Sequence, residues 1–263
     1  MGTAIQQLFN LSGRVALVTG GSRGLGLQMA EALGEAGAKV MLTARKSAEL
    51  QEAVAQLAER GIDARWVAGD AAQPDDITHI CNETLQRLGD VDILVNNAGA
   101  AWGAPAEDHP LAAWDKVMGL NVRSVFLFSQ QIGKRCMIPR RRGRIVNIAS
   151  MTAFGGNPPG QETVAYNTSK AAVVNLTRAL ACEWGEHGIT VNAIAPGYFH
   201  SKMADHMIEL VGAEAMAARA PMRRLGDDDD LKGAVLLLAS DAGKHITGQT
   251  LAVDGGVTAV LAQ

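Results

Sequence analysis

The sequence lacks the features that would hold a metal ion or a disulfide framework. It has only three cysteines, which lie far apart and show neither the paired spacing of a zinc site nor an even count. We therefore expect Cys81, Cys136 and Cys182 to be reduced and mostly buried. The histidines are scattered too, without an H-E-x-x-H or comparable cluster, so we predict no metal site.

Long hydrophobic runs and a net positive charge are also absent. No segment approaches the roughly 18 apolar residues of a membrane span, and residues 1–14 lack the apolar stretch of a signal peptide. The formal net charge of −3 and the pI near 6.1 give no general attraction for nucleic acid or an anionic membrane. We expect a cytoplasmic protein without nucleic-acid or membrane partners.

The chain does contain a regular alternation of short apolar runs and longer segments with helical periodicity. Because most of the short runs are apolar throughout, we expect strands that are buried on both faces of a parallel sheet. The predicted strands are Val15–Thr19, Val40–Thr43, Arg65–Ala68, Ile93–Asn96, Ile145–Ile148, Thr190–Ile194 and Leu251–Val253. The predicted helices are Leu25–Glu35, Ala48–Arg60, Asp75–Leu88, Leu111–Met137, Ala165–Glu186 and Asp228–Ser240. This order predicts an α/β fold with a doubly wound, parallel, seven-stranded sheet and helices on both faces.

The chain shows no internal repeat, low-complexity linker or obvious domain boundary. Its 263 residues lie at the upper end of what one hydrophobic core serves, so we expect a single domain over residues 1–263. The segment at about 198–225 looks irregular and contains Met203, Met207, Met216 and Met222. We predict that it forms an apolar lid over a binding site, with plain packing against the core as the alternative.

A glycine-rich loop follows the first predicted strand. It reads Thr19-Gly20-Gly21-Ser22-Arg23-Gly24-Leu25-Gly26 and leads into a helix. Glycines there let main-chain amides approach a pyrophosphate closely, and the helix dipole favours its charge. Residues Gly20–Gly24 also fit G-x-S-x-G, the nucleophile elbow of α/β-hydrolases, so a serine hydrolase that uses Ser22 is a rival interpretation.

The end of the second strand bears on the choice of cofactor. An NAD site usually has an Asp or Glu about 20 residues after the loop, which holds the ribose hydroxyls. Here the sequence reads Thr43-Ala44-Arg45, with no carboxylate to repel a 2′-phosphate. Arg45 and Arg23 are predicted to bind that phosphate, which favours NADP(H) over NAD(H). The alternative is that both arginines are solvated surface residues.

Candidate catalytic residues follow the fourth and fifth strands and begin the helix after them. Asn96-Asn97-Ala98-Gly99 and Ser150 come at the carboxyl edge of the sheet, where ligands bind in such folds. Tyr166 and Lys170 are four residues apart and so share one helical face. A tyrosine exchanges protons poorly at neutral pH unless a cation stabilises its phenolate, and we expect Lys170 to lower the pKa of Tyr166.

Together these motifs resemble the short-chain dehydrogenase/reductase family in its typical single-domain form. The Thr-Gly-x-x-x-Gly-x-Gly loop and the Tyr-x-x-x-Lys pair carry the resemblance, which extends over nearly the whole chain. Further matches are Asp70, Asn121, Pro196-Gly197, Gly248-Gln249 and Val253-Asp254-Gly255-Gly256. The resemblance implies a Rossmann domain that binds a nicotinamide dinucleotide, and a homotetramer whose candidate interfaces are the helices Leu111–Met137 and Ala165–Glu186.

The resemblance also implies a role for each matching residue. Tyr166 would exchange the proton with the substrate oxygen, Ser150 would hydrogen-bond that oxygen, Lys170 would hold the nicotinamide ribose, and Asn121 would anchor a relay water. The implied cofactor-binding residues are Gly20, Ser22, Arg23, Gly24, Leu25, Gly26, Arg45, Asp70, Ala71, Asn97, Ala98, Gly99, Tyr166, Lys170, Pro196, Gly197 and Ser201.

The expected function is NADP(H)-dependent hydride transfer between nicotinamide and a ketone or secondary alcohol. The substrate class expected first is a 3-oxoacyl thioester or similar ketone, and a sugar acid or polyol, as in gluconate 5-dehydrogenases, is the alternative. A regulatory protein that has lost its chemistry would often lack Ser150, Tyr166 or Lys170, and all three are present.

Two features depart from the family pattern. The stretch 155–160 lengthens the segment between Ser150 and Tyr166, and Ser201 stands where threonine is common. The longer segment is expected to reshape the substrate mouth or to displace Ser150.

Two runs of like charge have alternative interpretations. Arg140-Arg141-Arg142 with Arg144 would suit the phosphates of an acyl carrier protein or coenzyme A, or form a solvated loop. Asp227 to Asp230 are predicted to cap a helix rather than to bind metal.

Overall fold

The computed structural model describes residues 3–158, 160–200 and 211–260. Its centre is a seven-stranded sheet in the order β3-β2-β1-β4-β5-β6-β7, and every strand pair is parallel. The strands are β1 Val15–Thr19, β2 Lys39–Ala44, β3 Ala64–Ala68, β4 Ile93–Asn96, β5 Gly143–Ile148, β6 Ile189–Pro196 and β7 Thr250–Val253. The predicted doubly wound α/β fold is confirmed, and each predicted strand lies within an observed one.

Helices cover both faces of this sheet. Their bounds are α1 Ala4–Leu8, α2 Gly24–Glu35, α3 Ser47–Glu59, α4 Pro74–Leu88, α5 Leu111–Met118, α6 Ser124–Ile132, α7 Ile138–Arg140, α8 Val164–Trp184, α9 Ala213–Ala217 and α10 Lys232–Ala239. Alternate side chains of β1 point to opposite faces of the sheet. Ala16 and Val18 pack with α2, α3 and α10 on one face. Val15 and Leu17 pack with α4, α6 and α8 on the other face. This burial on both faces explains why the strands read as continuous apolar runs.

The segment predicted as one helix over Leu111–Met137 is interrupted twice by π-helical turns. These turns are Gly119–Arg123 and Gly133–Met137, and they separate α5, α6 and α7. At Gly133 an added Cβ would lie 2.7 Å from the Trp184 ring, so the glycine lets α8 approach closely. The first turn contains Asn121 and therefore bears on the candidate site.

The acidic run before the last helix does not cap it, so that prediction is wrong. Helix α10 begins at Lys232, and its N-cap residue Leu231 makes no side-chain cap hydrogen bond. Asp230 instead forms an ion pair with Arg224, which holds the pKa of its carboxyl at about 2, and Asp229 pairs with Lys232. The run stabilises the turn that precedes the helix.

Arg140 and Arg142 of the arginine run belong to a charge cluster at the amino-terminal edge of the sheet. Asp92, only 4% exposed, accepts a hydrogen bond from the Val15 main-chain nitrogen at 3.0 Å. Its carboxylate also forms ion pairs with Arg14, Arg140 and Arg142 at 3.5, 3.3 and 2.5 Å. Two arginines of the run are therefore engaged within the protein, away from the carboxyl edge where ligands bind in this fold.

Two cysteines, Cys81 and Cys136, are buried, whereas Cys182 is exposed. Burial raises the pKa of the Cys81 thiol to about 12. Burial of Cys81 and Cys136 agrees with the prediction of mostly buried cysteines, and Cys182 departs from it.

Candidate active site

A cavity of about 640 Å³ opens along the carboxyl edge of the sheet. It runs from the glycine-rich loop past β4 and β5 to the end of β6. Seventeen of the predicted site residues line it: Gly20, Ser22, Arg23, Gly24, Leu25, Gly26, Arg45, Asp70, Ala71, Asn97, Ala98, Gly99, Ser150, Tyr166, Lys170, Pro196 and Gly197. Asn121 lies behind the cavity wall, and Ser201 falls outside the described residues.

The glycine-rich loop forms one end of this cavity. Gly20 and Gly24 have φ angles of +63° and +52°, which residues with a side chain rarely adopt. Asn97 holds the loop against β4, because its Nδ2 donates to the main-chain oxygens of Thr19 and Gly20 at 3.0 Å. An added Cβ on Gly24 would meet nothing within 4 Å, so the space over the start of α2 is open. This open helix N-terminus fits a dinucleotide pyrophosphate.

Ser22 does not have the partners of a hydrolytic nucleophile. Its Oγ donates to Glu49 Oε2 at 3.4 Å, and no histidine is among the described residues that line the cavity. A serine nucleophile needs a nearby general base, usually histidine, to take its proton. The geometry around Ser22 therefore argues against the serine hydrolase alternative.

The motif Thr43-Ala44-Arg45 contains no carboxylate, but the fold brings one from the following helix to the same cavity. Glu49, in the first turn of α3, lines the cavity beside Arg45. Its Oε1 accepts hydrogen bonds from Arg23 Nη1 at 2.9 Å and Lys46 Nζ at 3.0 Å. The sequence signal was present but ambiguous, since an acid in a first helical turn also complements the helix dipole.

Ser150, Tyr166 and Lys170 converge at the middle of the cavity. Ser150 follows β5 and lies close enough to the Tyr166 hydroxyl to lower its pKa, so the longer segment after it has not displaced it. Lys170 lies one turn along α8, with its Nζ 5.5 Å from the centre of the Tyr166 ring. The same Nζ donates to the main-chain oxygen of Ile148 at 2.7 Å. Two hydroxyls and an ammonium thus line the same cavity.

Burial dominates the protonation of this group. It raises the pKa of Tyr166 above its usual value of 10, and the hydrogen bond with Ser150 offsets part of that rise. It also lowers the pKa of Lys170 to about 8. The expected lowering of the Tyr166 pKa is therefore not seen in this structure, because desolvation disfavours the charged forms of both residues.

Asn121 connects the loop after β4 to the helix that carries Tyr166. It is 1% exposed and exchanges hydrogen bonds with the main chain of Ala100, at 2.8 and 2.9 Å. Its Nδ2 also donates to Ser169 Oγ at 2.9 Å, and Ser169 Oγ donates to the main-chain oxygen of Tyr166 at 2.7 Å. Sequence reasoning missed Ser169, and its place directly before Lys170 was the available signal.

The opposite end of the cavity combines apolar and polar side chains. Met151, Phe199 and Met216 supply apolar surface there. Polar side chains that sequence reasoning did not single out also line the cavity: Thr152, Asn157, Gln161 and Thr163. Part of the expected lid, Met203 and Met207, lies outside the described residues, and Met222 is 61% exposed and does not line the cavity.

Neither a metal-binding cluster nor a membrane-spanning helix occurs in the part of the chain that the structure describes. No group of three or more histidine, cysteine, aspartate or glutamate residues there is arranged to hold a metal ion. Across the same residues, every helix is too short or too polar to cross a membrane.

Comparison with known proteins gives matches over almost the entire chain. A family model described as enoyl-(acyl carrier protein) reductase matches residues 20–258. Gluconate 5-dehydrogenase of Gluconobacter oxydans is 38% identical over 255 residues, which are 97% of this chain and 98% of that protein. The rhamnolipids biosynthesis 3-oxoacyl-[acyl-carrier-protein] reductase of Pseudomonas aeruginosa is 40% identical, over 94% of this chain and 97% of that protein.

A solved structure agrees with this assignment. The gluconate 5-dehydrogenase of Burkholderia cenocepacia, crystallised with NADP and tartrate, is 34% identical and superposes with a TM-score of 0.91. The match covers 98% of this chain and 100% of that one. The chain therefore belongs to the short-chain dehydrogenase/reductase family of oxidoreductases, which act on CH–OH groups.

Proposed function

We propose that this protein is an NADP(H)-dependent oxidoreductase that interconverts a ketone and a secondary alcohol. The observation that carries the proposal is the convergence of Ser150, Tyr166 and Lys170 in a cavity that also contains the open glycine-rich loop. One end of the cavity is suited to a pyrophosphate, and its middle presents two hydroxyl groups to a substrate oxygen.

We assign the proton transfer to Tyr166. In the reduction, hydride adds to the carbonyl carbon while the Tyr166 hydroxyl gives its proton to the carbonyl oxygen, which yields the alcohol. Ser150 donates a hydrogen bond to that oxygen and stabilises the negative charge that develops on it. Lys170 and Asn121 serve as positioning residues, Lys170 beside the ring and Asn121 through Ser169. The bound dinucleotide supplies the hydride in reduction and accepts it in oxidation.

We propose NADP(H) as the preferred cofactor. Arg23, Arg45 and Lys46 form a cationic rim beside the glycine-rich loop, on the side where β2 ends. Arg45 makes no ion pair or hydrogen bond to any of the described residues and is exposed. Guanidinium groups suit a phosphate because they offer several donors in a planar fork. The solved structures of relatives that contain NADP support this preference.

For the substrate we propose a 3-oxoacyl thioester or similar ketone. The apolar surface of Met151, Phe199 and Met216 near Tyr166 suits an alkyl chain, and one relative is named as a 3-oxoacyl reductase. A sugar acid or polyol is the second candidate, because Thr152, Asn157 and Gln161 line the same end of the cavity. Two gluconate 5-dehydrogenases among the compared proteins favour that candidate.

The experiment is a panel of 3-oxoacyl thioesters, simple ketones, sugar acids and polyols, followed by NADPH absorbance in both directions. Tyr166→Phe is expected to lower turnover about 100- to 10,000-fold, because a positioned proton donor contributes that much. Its NADP+ affinity, measured by fluorescence titration, should remain near that of the wild type. A Tyr166→Phe enzyme with wild-type turnover would disprove the assignment.

We further propose that the chain forms a single domain, acts in the cytoplasm and assembles as a homotetramer. Leu111 on α5 and Phe126 on α6 are 73% and 41% exposed, and both lie in the segment expected at an interface. Exposed apolar side chains of this size favour burial against another copy. Light scattering on the purified protein tests the assembly.

A further inference from the structure

Glu49 is the feature of the cavity that the proposed reaction does not use. It lies in the first turn of α3, four residues after Arg45, and its side chain is 26% exposed. Two cations share its Oε1: Arg23 Nη1 at 2.9 Å and Lys46 Nζ at 3.0 Å. The Ser22 hydroxyl donates to its other oxygen at 3.4 Å. One carboxylate thus receives donors from the glycine-rich loop and from the chain that follows β2.

The donors around Glu49 are those that bind a phosphate group. A guanidinium, an ammonium and a hydroxyl also form the usual donor set for a phosphate monoester, which carries close to two negative charges at neutral pH. All of these side chains line the same cavity as the open glycine-rich loop, together with Arg45. The Glu49 carboxylate therefore neutralises part of the positive charge that Arg23 and Lys46 would otherwise present to a ligand.

We propose that Glu49 is a specificity-determining residue that competes with the 2′-phosphate of NADP(H) for Arg23 and Lys46. This inference rests on the proposed NADP(H) preference. A cofactor with a 2′-phosphate must displace the Glu49 carboxylate from these two cations and then lie close to its negative charge. NAD(H) carries a hydroxyl at that position, so it binds with both ion pairs intact. Glu49 thus reduces the preference for NADP(H) that Arg23, Arg45 and Lys46 create.

The size of the effect follows from the exposure of the groups. The Arg23 and Lys46 side chains are 50% and 66% exposed, so solvent weakens each ion pair with Glu49. In the wild type, NADP+ must break the two ion pairs of Glu49 and then bear repulsion between the Glu49 carboxylate and the 2′-phosphate. Together these costs weaken NADP+ binding by about fivefold. The change for NAD+ should stay below about twofold, because NAD+ does not compete for the same cations.

The test is an equilibrium titration of the full-length protein with NADP+ and NAD+ for the wild type and Glu49→Gln. The substitution keeps the shape of the side chain and removes its charge. We expect NADP+ to bind about fivefold more tightly and NAD+ to be nearly unchanged. Glu52→Gln is the matched control, since Glu52 is exposed on the same helix, does not line the cavity and carries the same charge. Its affinities for both cofactors should equal those of the wild type.

Two smaller probes separate this inference from the cofactor proposal. Adenosine 2′,5′-bisphosphate carries the 2′-phosphate and adenosine 5′-monophosphate does not, so only the first should bind more tightly to Glu49→Gln. Weaker or unchanged NADP+ binding in Glu49→Gln, or equal gains for NADP+ and NAD+, would overturn the inference. Failure of the cofactor proposal looks different: wild-type protein would then bind NAD+ at least as tightly as NADP+. Glu49→Ala provides a second variant if Glu49→Gln does not fold, and the same outcomes apply to it.

Discussion

The side-chain amide of Asn121 donates a hydrogen bond to the Ser169 hydroxyl at 2.9 Å, and Ser169 in turn donates to the main-chain oxygen of Tyr166. The relationship joins a π-helical turn to the helix that carries the proposed proton donor. Both side chains are buried, so neither can exchange this partner for bulk water. The position of Tyr166 in the cavity therefore depends on a residue that does not line it.

We expect Ser169→Ala to destabilise the protein by about 1–3 kcal/mol, because it leaves a buried amide donor of Asn121 short of a partner. Turnover should also fall, because α8 loses the hydrogen bond from Asn121 that holds it near Tyr166. Urea unfolding and steady-state kinetics measure the two effects. Thr168→Ala, at an exposed position of the same helix, is the control and should change neither. Wild-type stability in Ser169→Ala would mean that the Asn121–Ser169 bond contributes nothing.

The cationic rim gives a prediction for cofactor choice. Arg45→Asp should weaken NADPH binding about ten- to a hundredfold, because a charge-assisted contact with the 2′-phosphate is replaced by repulsion. NADH binding should change far less, since NADH has no phosphate at that position. Lys244→Asp makes the same charge change at an exposed residue that does not line the cavity, and it should leave both cofactors unaffected. Equal losses for NADPH and NADH would place the 2′-phosphate elsewhere.

The depressed pKa of Lys170 predicts a pH dependence of stability. Burial lowers this pKa from 10.5 to about 8, so between these values the unfolded chain binds more protons than the folded one. The contribution of Lys170 to stability therefore rises with pH across that window. In Lys170→Met the titrating group is gone, and any stability advantage of this variant should shrink as the pH rises from 8 towards 10.5.

Urea unfolding at several pH values, without added dinucleotide, measures that difference. The comparison removes contributions common to both proteins, such as the raised pKa of Cys81. Lys244→Met makes the same substitution at an exposed lysine and serves as the control. A gap between wild type and Lys170→Met that stays constant with pH would show that Lys170 is not desolvated.

The charge cluster at the amino-terminal edge predicts a loss of stability without a loss of catalysis. Asp92→Ala removes the acceptor of the Val15 main-chain N–H and the anion shared by Arg14, Arg140 and Arg142. We expect a cost of about 1–3 kcal/mol, the usual range for a buried donor left unsatisfied. Activity per folded molecule should be unchanged, since Asp92 does not line the candidate active site. Denaturant unfolding and kinetics on the same preparation check both statements.

Local pattern was sufficient for the strands and for the spacing of the catalytic candidates. The apolar run of β1 and the four-residue separation of Tyr166 and Lys170 can be read from a short stretch of sequence. Both depend only on how side-chain directions repeat along a strand or a helix. The helix predicted over Leu111–Met137 began at the correct residue, but helical structure continues to Arg140 and the two π-helical turns were missed. The second turn lies where Gly133 packs against Trp184, a residue far away in the sequence. A local sequence pattern does not contain such a contact.

The sequence by itself determined the parallel α/β architecture, the glycine-rich loop and the identity of the residues at the carboxyl edge of the sheet. Only the tertiary structure decided that Glu49 pairs with Arg23 of the glycine-rich loop, that Asp92 pairs with three arginines, and that burial shifts the pKa values of Tyr166 and Lys170. The physical reason is range. Hydrophobic period and turn chemistry act over a few residues, whereas ion pairing and desolvation depend on every element that surrounds a side chain.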